Sequence, residues 1–189
     1  MNIGCVVLAA GDGKRFGANK LLQELDGKSL IRHALESVPA EHLKTTVVVT
    51  QYPDIAALAK EYCFTPIINV HPEWGQSHSI QLGLAALEHC DAVLFQVSDQ
   101  PLLKQETVAK LIELYHRYPN SIVCLNHDGV KGNPCLFPAK LFPELMALEG
   151  DCGGRVIRQA HEDCVVTLEV SKEELRDIDT LRDLQQLKD

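Results

Sequence analysis

The sequence predicts an α/β fold, with a mostly parallel sheet and helices on both of its faces. Short apolar runs alternate with segments whose apolar residues recur at helical spacing along almost the whole chain. The first run, residues 2–8, is nearly continuous and rich in β-branched residues, which is typical of a strand buried on both faces. Such strand–helix alternation favours parallel strands that are joined by helical crossovers.

The first half of the chain contains four predicted strands and four predicted helices. The strands are expected at residues 2–8, 45–49, 66–70 and 92–97. The helices are expected where apolar residues recur at intervals of three and four, in sets that begin at Ile31, Ile55, Ile80 and Val108. Ser29 is available as the N-cap of the first helix.

The pattern continues more loosely after Pro119. Two strands, 121–125 and 133–137, flank a turn-prone segment whose Asp-Gly step is typical of hairpins. Helical segments near 139–148 and 152–160, a strand at 165–170 and a closing helix through Leu181, Leu184 and Leu187 complete the prediction. Since no repeat, low-complexity tract or linker interrupts it, residues 1–189 are expected to form one domain.

Composition excludes several classes of protein. Eighteen basic against 26 acidic residues give a net charge of −8, which argues against a binder of nucleic acids or anionic membranes. No apolar run approaches the length of a spanning helix, and the N-terminus lacks a signal-peptide pattern. The seven cysteines include no C-x-x-C pair, so reduced thiols in a cytoplasmic protein are expected, with a zinc cluster or disulfide framework as the alternative.

The loop after the first strand is the strongest functional signal, because ligands of parallel sheets bind beyond the carboxyl ends of strands. It contains three glycines and three cations, and residues 12–20 carry a local charge of +2 within an acidic chain. We therefore predict a phosphate site, with a flexible glycine-rich turn as the alternative. The glycine spacing does not match the dinucleotide fingerprint, and Leu22 replaces the first glycine of a P-loop.

Two aspartates are candidate ligands of a hard cation. Asp99 directly follows a buried strand and would face the phosphate loop, where magnesium prefers oxygen ligands. The alternative is a turn before Pro101. Asp179 precedes the last helix and could instead be its N-cap. Asp177 is expected to be solvated.

The helix after the third strand opens with Ser77, His78 and Ser79. A nucleophile–base pair is disfavoured here, because adjacent residues rarely align as a hydrogen-bonded pair. Helical N–H groups and hydroxyls that bind nucleotide oxygens are the preferred interpretation.

Together and in this order, these segments resemble the MobA-like nucleotidyltransferases, in particular the molybdenum cofactor cytidylyltransferase branch. The resemblance covers essentially the whole chain, and its first motif is highly specific. The motifs are residues 8–22 (LAAGxGxRFGxxKLL), 75–79 (GxSxS), 98–101 (SDQP), 132–134 (GNP), 150–155 (GDxGGR) and 177–180 (DIDT). The resemblance implies a Rossmann-like fold of the nucleotide-diphospho-sugar transferase type, a nucleoside triphosphate, Mg²⁺, and nucleotidyl transfer with release of pyrophosphate.

The resemblance also implies roles for individual residues. The nucleotide would be bound by residues of the first loop and of the helix opening, namely Leu8, Ala9, Ala10, Gly11, Gly13, Arg15, Lys20, Ser77 and Ser79. The catalytic set would be Arg15, Lys20 and Asp99, with Asp99 and Asp179 as the metal ligands. Asn133 and Asp151 are expected to contact the acceptor. Ala9-Ala10, rather than two glycines, resembles the branch that prefers CTP over GTP.

The implied acceptor is the terminal phosphate of molybdopterin that already carries molybdenum, and a client molybdenum hydroxylase would use the product. His78 and Asn133 differ from the residues usual in this branch, a small hydroxylated residue and a histidine. Two alternatives stay open. One is transfer to a sugar phosphate or another phosphorylated acceptor, and the other is a non-catalytic molybdopterin carrier or chaperone.

Overall fold

A mostly parallel sheet is the centre of the computed structural model, which describes residues 1–11 and 19–188. The strands are β1 (Ile3–Ala9), β2 (Glu24–Leu25), β3 (Lys28–Ser29), β4 (Thr45–Thr50), β5 (Thr65–Ile68), β6 (Ala92–Val97), β7 (Ile122–His127), β8 (Val130–Pro138) and β9 (Val165–Glu169). Strands β2 and β3 pair with each other as a short antiparallel unit. The other seven form one sheet in the order β5-β4-β1-β6-β8-β7-β9.

Helices cover both faces of this sheet, as the sequence predicts. They are α1 (Leu30–Glu36), α2 (Pro53–Glu61), α3 (Gln76–Ala86), α4 (Gln105–Arg117), α5 (Phe142–Met146), α6 (Arg155–Ala160) and α7 (Leu181–Lys188). Alternate residues of β1 point into two separate apolar cores: Val7 packs with α1, α2 and α4, whereas Val6 packs with α3, α5 and α6. The central strand is therefore buried on both sides, which explains its continuous apolar sequence.

Strand β8 runs opposite to its neighbours β6 and β7, and the other neighbouring strands of the seven-stranded sheet pair in parallel. The reversal is made by the predicted Asp-Gly turn, in which Asp128 (φ 47°) and Gly129 (φ 82°) both adopt positive φ. Two consecutive positive φ values match the twist of a tight hairpin. The prediction of a mostly parallel sheet is confirmed.

Element boundaries differ from the predicted ones at the looser segments. The predicted helix at 139–148 is a 3₁₀ turn (Ala139–Leu141) followed by α5, with Pro143 in the first turn of the helix. Proline fits that position, because an N–H in the first turn has no partner within the helix. Helix α6 begins at Arg155, three residues later than predicted.

No helix in the described part of the chain is long and apolar enough to cross a membrane. The seven cysteines are free thiols in the structure, and four of them are buried. Within the described ranges, one group of three potential metal ligands has converging atoms. It consists of His127 and Asp128 at the tip of the β7–β8 hairpin and Glu169 at the end of the neighbouring strand β9.

Candidate active site

A cavity of about 730 Å³ lies where several strands end. Its walls are formed by the ends of β1 and β6, the segment between β5 and α3, and two later loops. The residues of these walls are Leu8, Ala10, Gly11, Lys20, Leu21, Pro72, Glu73, Trp74, Gly75, Gln76, Ser79, Val97, Ser98, Asp99, Gly150, Asp151 and Asp179. The structure therefore brings most of the sequence-predicted site residues to one place. Gly13 and Arg15 lie in the segment 12–18, outside the described residues.

Lys20 joins the two aspartates predicted as metal ligands. Its Nζ lies 2.9 Å from Asp99 Oδ2 and 3.4 Å from Asp179 Oδ1, and it also donates to the carbonyl of Ile178 at 3.1 Å. The Lys20 side chain is only 16% exposed, against 54% for Asp179. The ammonium group is thus held in one position by three oxygens, between two carboxylates that lie 80 residues apart in sequence.

Asp99 is positioned by the hydrogen bond of the preceding Ser98 and by one to its own backbone carbonyl. The Ser98 hydroxyl donates to the Leu8 carbonyl at 2.5 Å, which ties the end of β6 to the end of β1. The backbone N–H of Ile178 donates to the Asp99 carbonyl at 2.8 Å. These hydrogen bonds place the carboxylate of Asp99 beside both the first loop and the Asp177–Asp179 segment.

Asp177 is a third carboxylate at this edge. The residue is exposed, as expected, yet its carboxyl group is partly removed from water. This desolvation and the nearby negative charge of Asp99 raise the pKa of Asp177 to about 6, against the opposing effect of a hydrogen bond from Gln100 (Nε2–Oδ1 2.9 Å). Sequence reasoning did not identify this electrostatic coupling, because it depends on contacts between distant segments.

Asp179 does not cap the last helix. Thr180 takes that position: its Oγ1 accepts from the backbone N–H of Asp183, and Asp183 Oδ2 accepts in return from the Thr180 N–H at 2.7 Å. This reciprocal arrangement is a capping box. The alternative interpretation of Asp179 as the N-cap is therefore wrong, and its carboxylate is paired with Lys20 instead.

The start of the loop that follows β1 is held by two residues that come directly after β4. Gln51 Nε2 donates to the Ala10 carbonyl at 2.8 Å, and the Tyr52 hydroxyl donates to the Gly11 carbonyl at 3.0 Å. Because C=O and N–H of a trans peptide point in opposite directions, the Gln51 contact turns the Gly11 N–H away from β4. Sequence analysis assigned no role to these two side chains.

The first turn of α3 is hydrogen-bonded to the loop that contains Gly150 and Asp151. The N–H of Gln76 donates to Asp151 Oδ1 at 3.3 Å, and the N–H of Ser77 donates to the Gly150 carbonyl at 3.2 Å. Ser77 and Ser79 are both buried, and Ser79 Oγ accepts from Asn69 Nδ2 at 3.1 Å. The first two helical N–H groups therefore already have protein partners, and of the two serines Ser79 alone lines the cavity within the described ranges.

Gly75 directly precedes α3 and has φ 87° and ψ −174°, a combination that is almost confined to glycine. A Cβ at this position would lie 2.4 Å from the carbonyl carbon and oxygen of Gly150.

We expect Gly75→Ala to lower the free energy of unfolding, measured in urea, by about 1–3 kcal/mol. Gly129→Ala is the matched control, since Gly129 also has positive φ but no atom of the described residues lies within 4 Å of a Cβ at that position. Equal losses in the two variants would show that the contact with Gly150 contributes nothing.

The two residues predicted to contact the acceptor are placed differently. Asp151 lines the cavity, whereas Asn133 does not lie among the described lining residues. Phe95 of β6 pairs with Cys135 of β8, so Asn133 lies towards the carboxyl end of β6, on the same edge of the sheet. His78 packs against Trp74. Trp74 is part of the cavity wall, and the sequence analysis did not identify it as a site residue.

The carboxylates at this edge fit a divalent cation. Asp99 Oδ1 is buried and has no hydrogen-bond partner among the described residues, although it is a strong acceptor. The carboxylates of Asp99, Asp177 and Asp179 face a single described cation, Lys20. A hard divalent ion bound through these oxygens would neutralise the remaining negative charge.

Comparison with known proteins identifies the family. Residues 5–165 match the MobA-like NTP transferase domain. The chain therefore belongs to the MobA-like NTP transferase family. The purine catabolism protein PucB of Bacillus subtilis is 28% identical over 188 residues, which cover 93% of this chain and 90% of PucB.

A probable molybdenum cofactor guanylyltransferase of Thermococcus sibiricus is 31% identical over 124 residues, or 64% of this chain and 59% of that protein. Among solved structures, Rv0371c of Mycobacterium tuberculosis H37Rv in complex with manganese has a TM-score of 0.78 at 22% identity. The match covers 99% of this chain and 98% of Rv0371c. This likeness confirms the predicted fold.

Proposed function

We propose that this chain transfers CMP from CTP to the terminal phosphate of molybdenum-loaded molybdopterin, with release of pyrophosphate. The observation that carries the proposal is the joining of Asp99 and Asp179 by Lys20 beside the first loop, in a member of the MobA-like family. The described chain acts as a single transferase domain in this proposal.

The reaction is a displacement at the α-phosphorus of the nucleotide. An oxygen of the acceptor phosphate forms a bond to the α-phosphorus in line with the bond that breaks, and the β- and γ-phosphates leave together as pyrophosphate. Both reactants are anions, so their repulsion must be reduced before they can approach. Positioning and electrostatic stabilisation, rather than a covalent enzyme intermediate, supply the rate enhancement.

Each element of the site has a part in this reaction. The first loop, with Gly13 and Arg15, and the Lys20 ammonium bind the triphosphate. Asp99 and Asp179 hold Mg²⁺, which when bound neutralises phosphate charge and orients the reacting oxygens. The hydrogen bond from Ser98 to the β1 backbone keeps Asp99 next to the loop, and therefore next to the reacting phosphates.

The finer assignments depend on the resemblance of individual residues. Ala9-Ala10 supports a preference for CTP, and Asp151 on the cavity wall supports a contact with the acceptor. Asn133, on the same sheet edge, would contribute to acceptor binding from the next strand. The dinucleotide product would then pass to a client molybdenum hydroxylase.

Pyrophosphate release with each nucleotide and each acceptor tests the proposal. CTP, GTP and ATP are compared with molybdenum-loaded molybdopterin, with a sugar 1-phosphate and without acceptor, in the presence of Mg²⁺. We expect release with CTP and molybdopterin to exceed every other combination by at least about tenfold, since a hydrogen-bonding base site discriminates strongly. Equal rates with the three nucleotides would refute the cytidylyl assignment. Faster pyrophosphate release with the sugar phosphate would identify that compound as the acceptor. Tight binding of molybdopterin without any pyrophosphate release would identify a carrier.

A further inference from the structure

Trp74 is the only tryptophan of the chain, and it lies on the cavity wall with 52% of its surface exposed. Among the described residues that line the cavity, it is also the only aromatic side chain. An indole in this position keeps a large apolar face in contact with solvent, which is unfavourable unless a ligand covers it.

Two histidine rings contact the indole: His71 stacks on one face, and His78 lies at one edge. The His71 ring stacks on Trp74 with a centroid distance of 4.2 Å and an interplanar angle of 6°. The His78 ring lies 4.7 Å from Trp74 at 62°, and the two histidine rings are 6.4 Å apart. These three distances form a nearly right-angled triangle with its corner at Trp74. His78 therefore lies beside the indole edge, and neither histidine covers the second face.

The backbone below the indole is held by local hydrogen bonds. The Trp74 N–H donates to the His71 carbonyl at 3.1 Å, and the His71 N–H donates to Asn69 Oδ1 at 2.9 Å. Asn69 also donates to Ser79, which connects the turn to α3. The turn is thus held by hydrogen bonds and one indole face by the His71 ring, which reduces the conformational entropy lost when a planar group stacks on the indole.

We propose that the second face of Trp74 stacks on the heterocyclic base of the nucleotide substrate; this inference rests on the proposed nucleotidyl transfer. The turn that carries Trp74 follows β5, two strands from β1, on the side of β1 opposite to β6 and Asp99. Trp74 lines the same cavity of about 730 Å³ as Ala10 and Gly11 at the start of the first loop and Lys20 after it. A nucleoside triphosphate with its phosphates beside Lys20 therefore has room within this cavity to bring its base to Trp74.

Stacking explains why an aromatic ring, rather than another apolar side chain, stands here. Every base has a π-face, and base–aromatic stacking strengthens binding without selecting strongly among bases. Trp74 therefore contributes affinity for the base in general, and the choice between CTP and GTP is left to other residues.

Nucleotide affinity of four forms of the full chain tests the inference: wild type, Trp74→Leu, Trp74→Phe and the control Tyr118→Leu. Tyr118 is 48% exposed and lies outside the described cavity lining. Calorimetric titrations use CTP and inorganic triphosphate, each with Mg²⁺. We expect Trp74→Leu to bind CTP about tenfold more weakly, the size of one lost base–aromatic stack, and to bind triphosphate as the wild type does. Trp74→Phe and Tyr118→Leu should retain nearly full affinity for CTP.

Tryptophan fluorescence gives an independent readout, because Trp74 is the only reporter. CTP should quench it with the calorimetric dissociation constant, and triphosphate should not. Equal CTP affinity in Trp74→Leu and wild type, with pyrophosphate release intact, would overturn the inference and leave the proposed function standing. Quenching by the molybdopterin-type acceptor instead of CTP would also overturn it. If wild type bound no nucleoside triphosphate at all, both proposals would fall.

Discussion

Asp99→Asn is expected to lower pyrophosphate release at least about 100-fold, the loss typical when one group that stabilises transition-state charge is removed. The amide has nearly the same shape as the carboxylate but carries no negative charge. It therefore pairs poorly with Lys20 Nζ, which lies 2.9 Å from Asp99 Oδ2, and it is a weak ligand of Mg²⁺.

The fold of this variant should remain intact, because the backbone contacts of Asp99 and Ser98 are unchanged. Circular dichroism and thermal unfolding check the fold, and steady-state pyrophosphate release over a range of Mg²⁺ concentrations checks the activity. Asp54→Asn serves as the control, since Asp54 is an exposed aspartate in the first turn of α2. Near-normal turnover by a well-folded Asp99→Asn variant would refute the proposed metal role.

Lys20→Met is expected to reduce pyrophosphate release by about 100- to 1,000-fold and to weaken CTP binding as well. Methionine keeps much of the aliphatic length of lysine but removes the only described cation between Asp99 and Asp179. The two carboxylates would then repel the triphosphate instead of being neutralised by the ammonium group.

The comparison variants for this second prediction are Lys20→Arg and Lys60→Met. Arginine keeps the charge but not the compact geometry, so partial activity is expected. Lys60 is an exposed residue of α2, remote from the described cavity lining, and its replacement should leave activity unchanged. A Lys20→Met variant with wild-type rate and wild-type CTP affinity would exclude Lys20 from phosphate binding.

The sheet and part of the site could be predicted because both depend on local sequence patterns. The apolar run at 92–97 has the same bounds as β6, and Asp99 follows it at the sheet edge where ligands of parallel sheets bind. The spacing of apolar residues and the position of Asp99 at the end of a strand were enough for these predictions. The sequence analysis considered only Asp179 as the cap of the last helix, although the spacing of Thr180 and Asp183 matches the capping box that the structure shows.

Other parts of the site depend on contacts between segments that are distant in sequence. No local sequence pattern predicts such contacts. Lys20 meets the carbonyl of Ile178 across 158 residues, and the opening of α3 is closed by Asp151, 75 residues further along the chain. Trp74 belongs to a short turn without periodicity, so its exposure on the cavity wall became evident only from the structure.

The reversed direction of β8 has a consequence for how this enzyme family can diversify. In a purely parallel sheet, only strand ends reach the functional edge. Here the start of β8 also reaches it, through a hairpin joined to β7 by the tight turn at Asp128 and Gly129. The tip of the hairpin can change in length or composition while β6, which leads into Asp99, stays unaltered. In the proposed function Asn133 of this hairpin contacts the acceptor, so changes in the hairpin would alter acceptor binding while the Lys20–Asp99 pair stays in place.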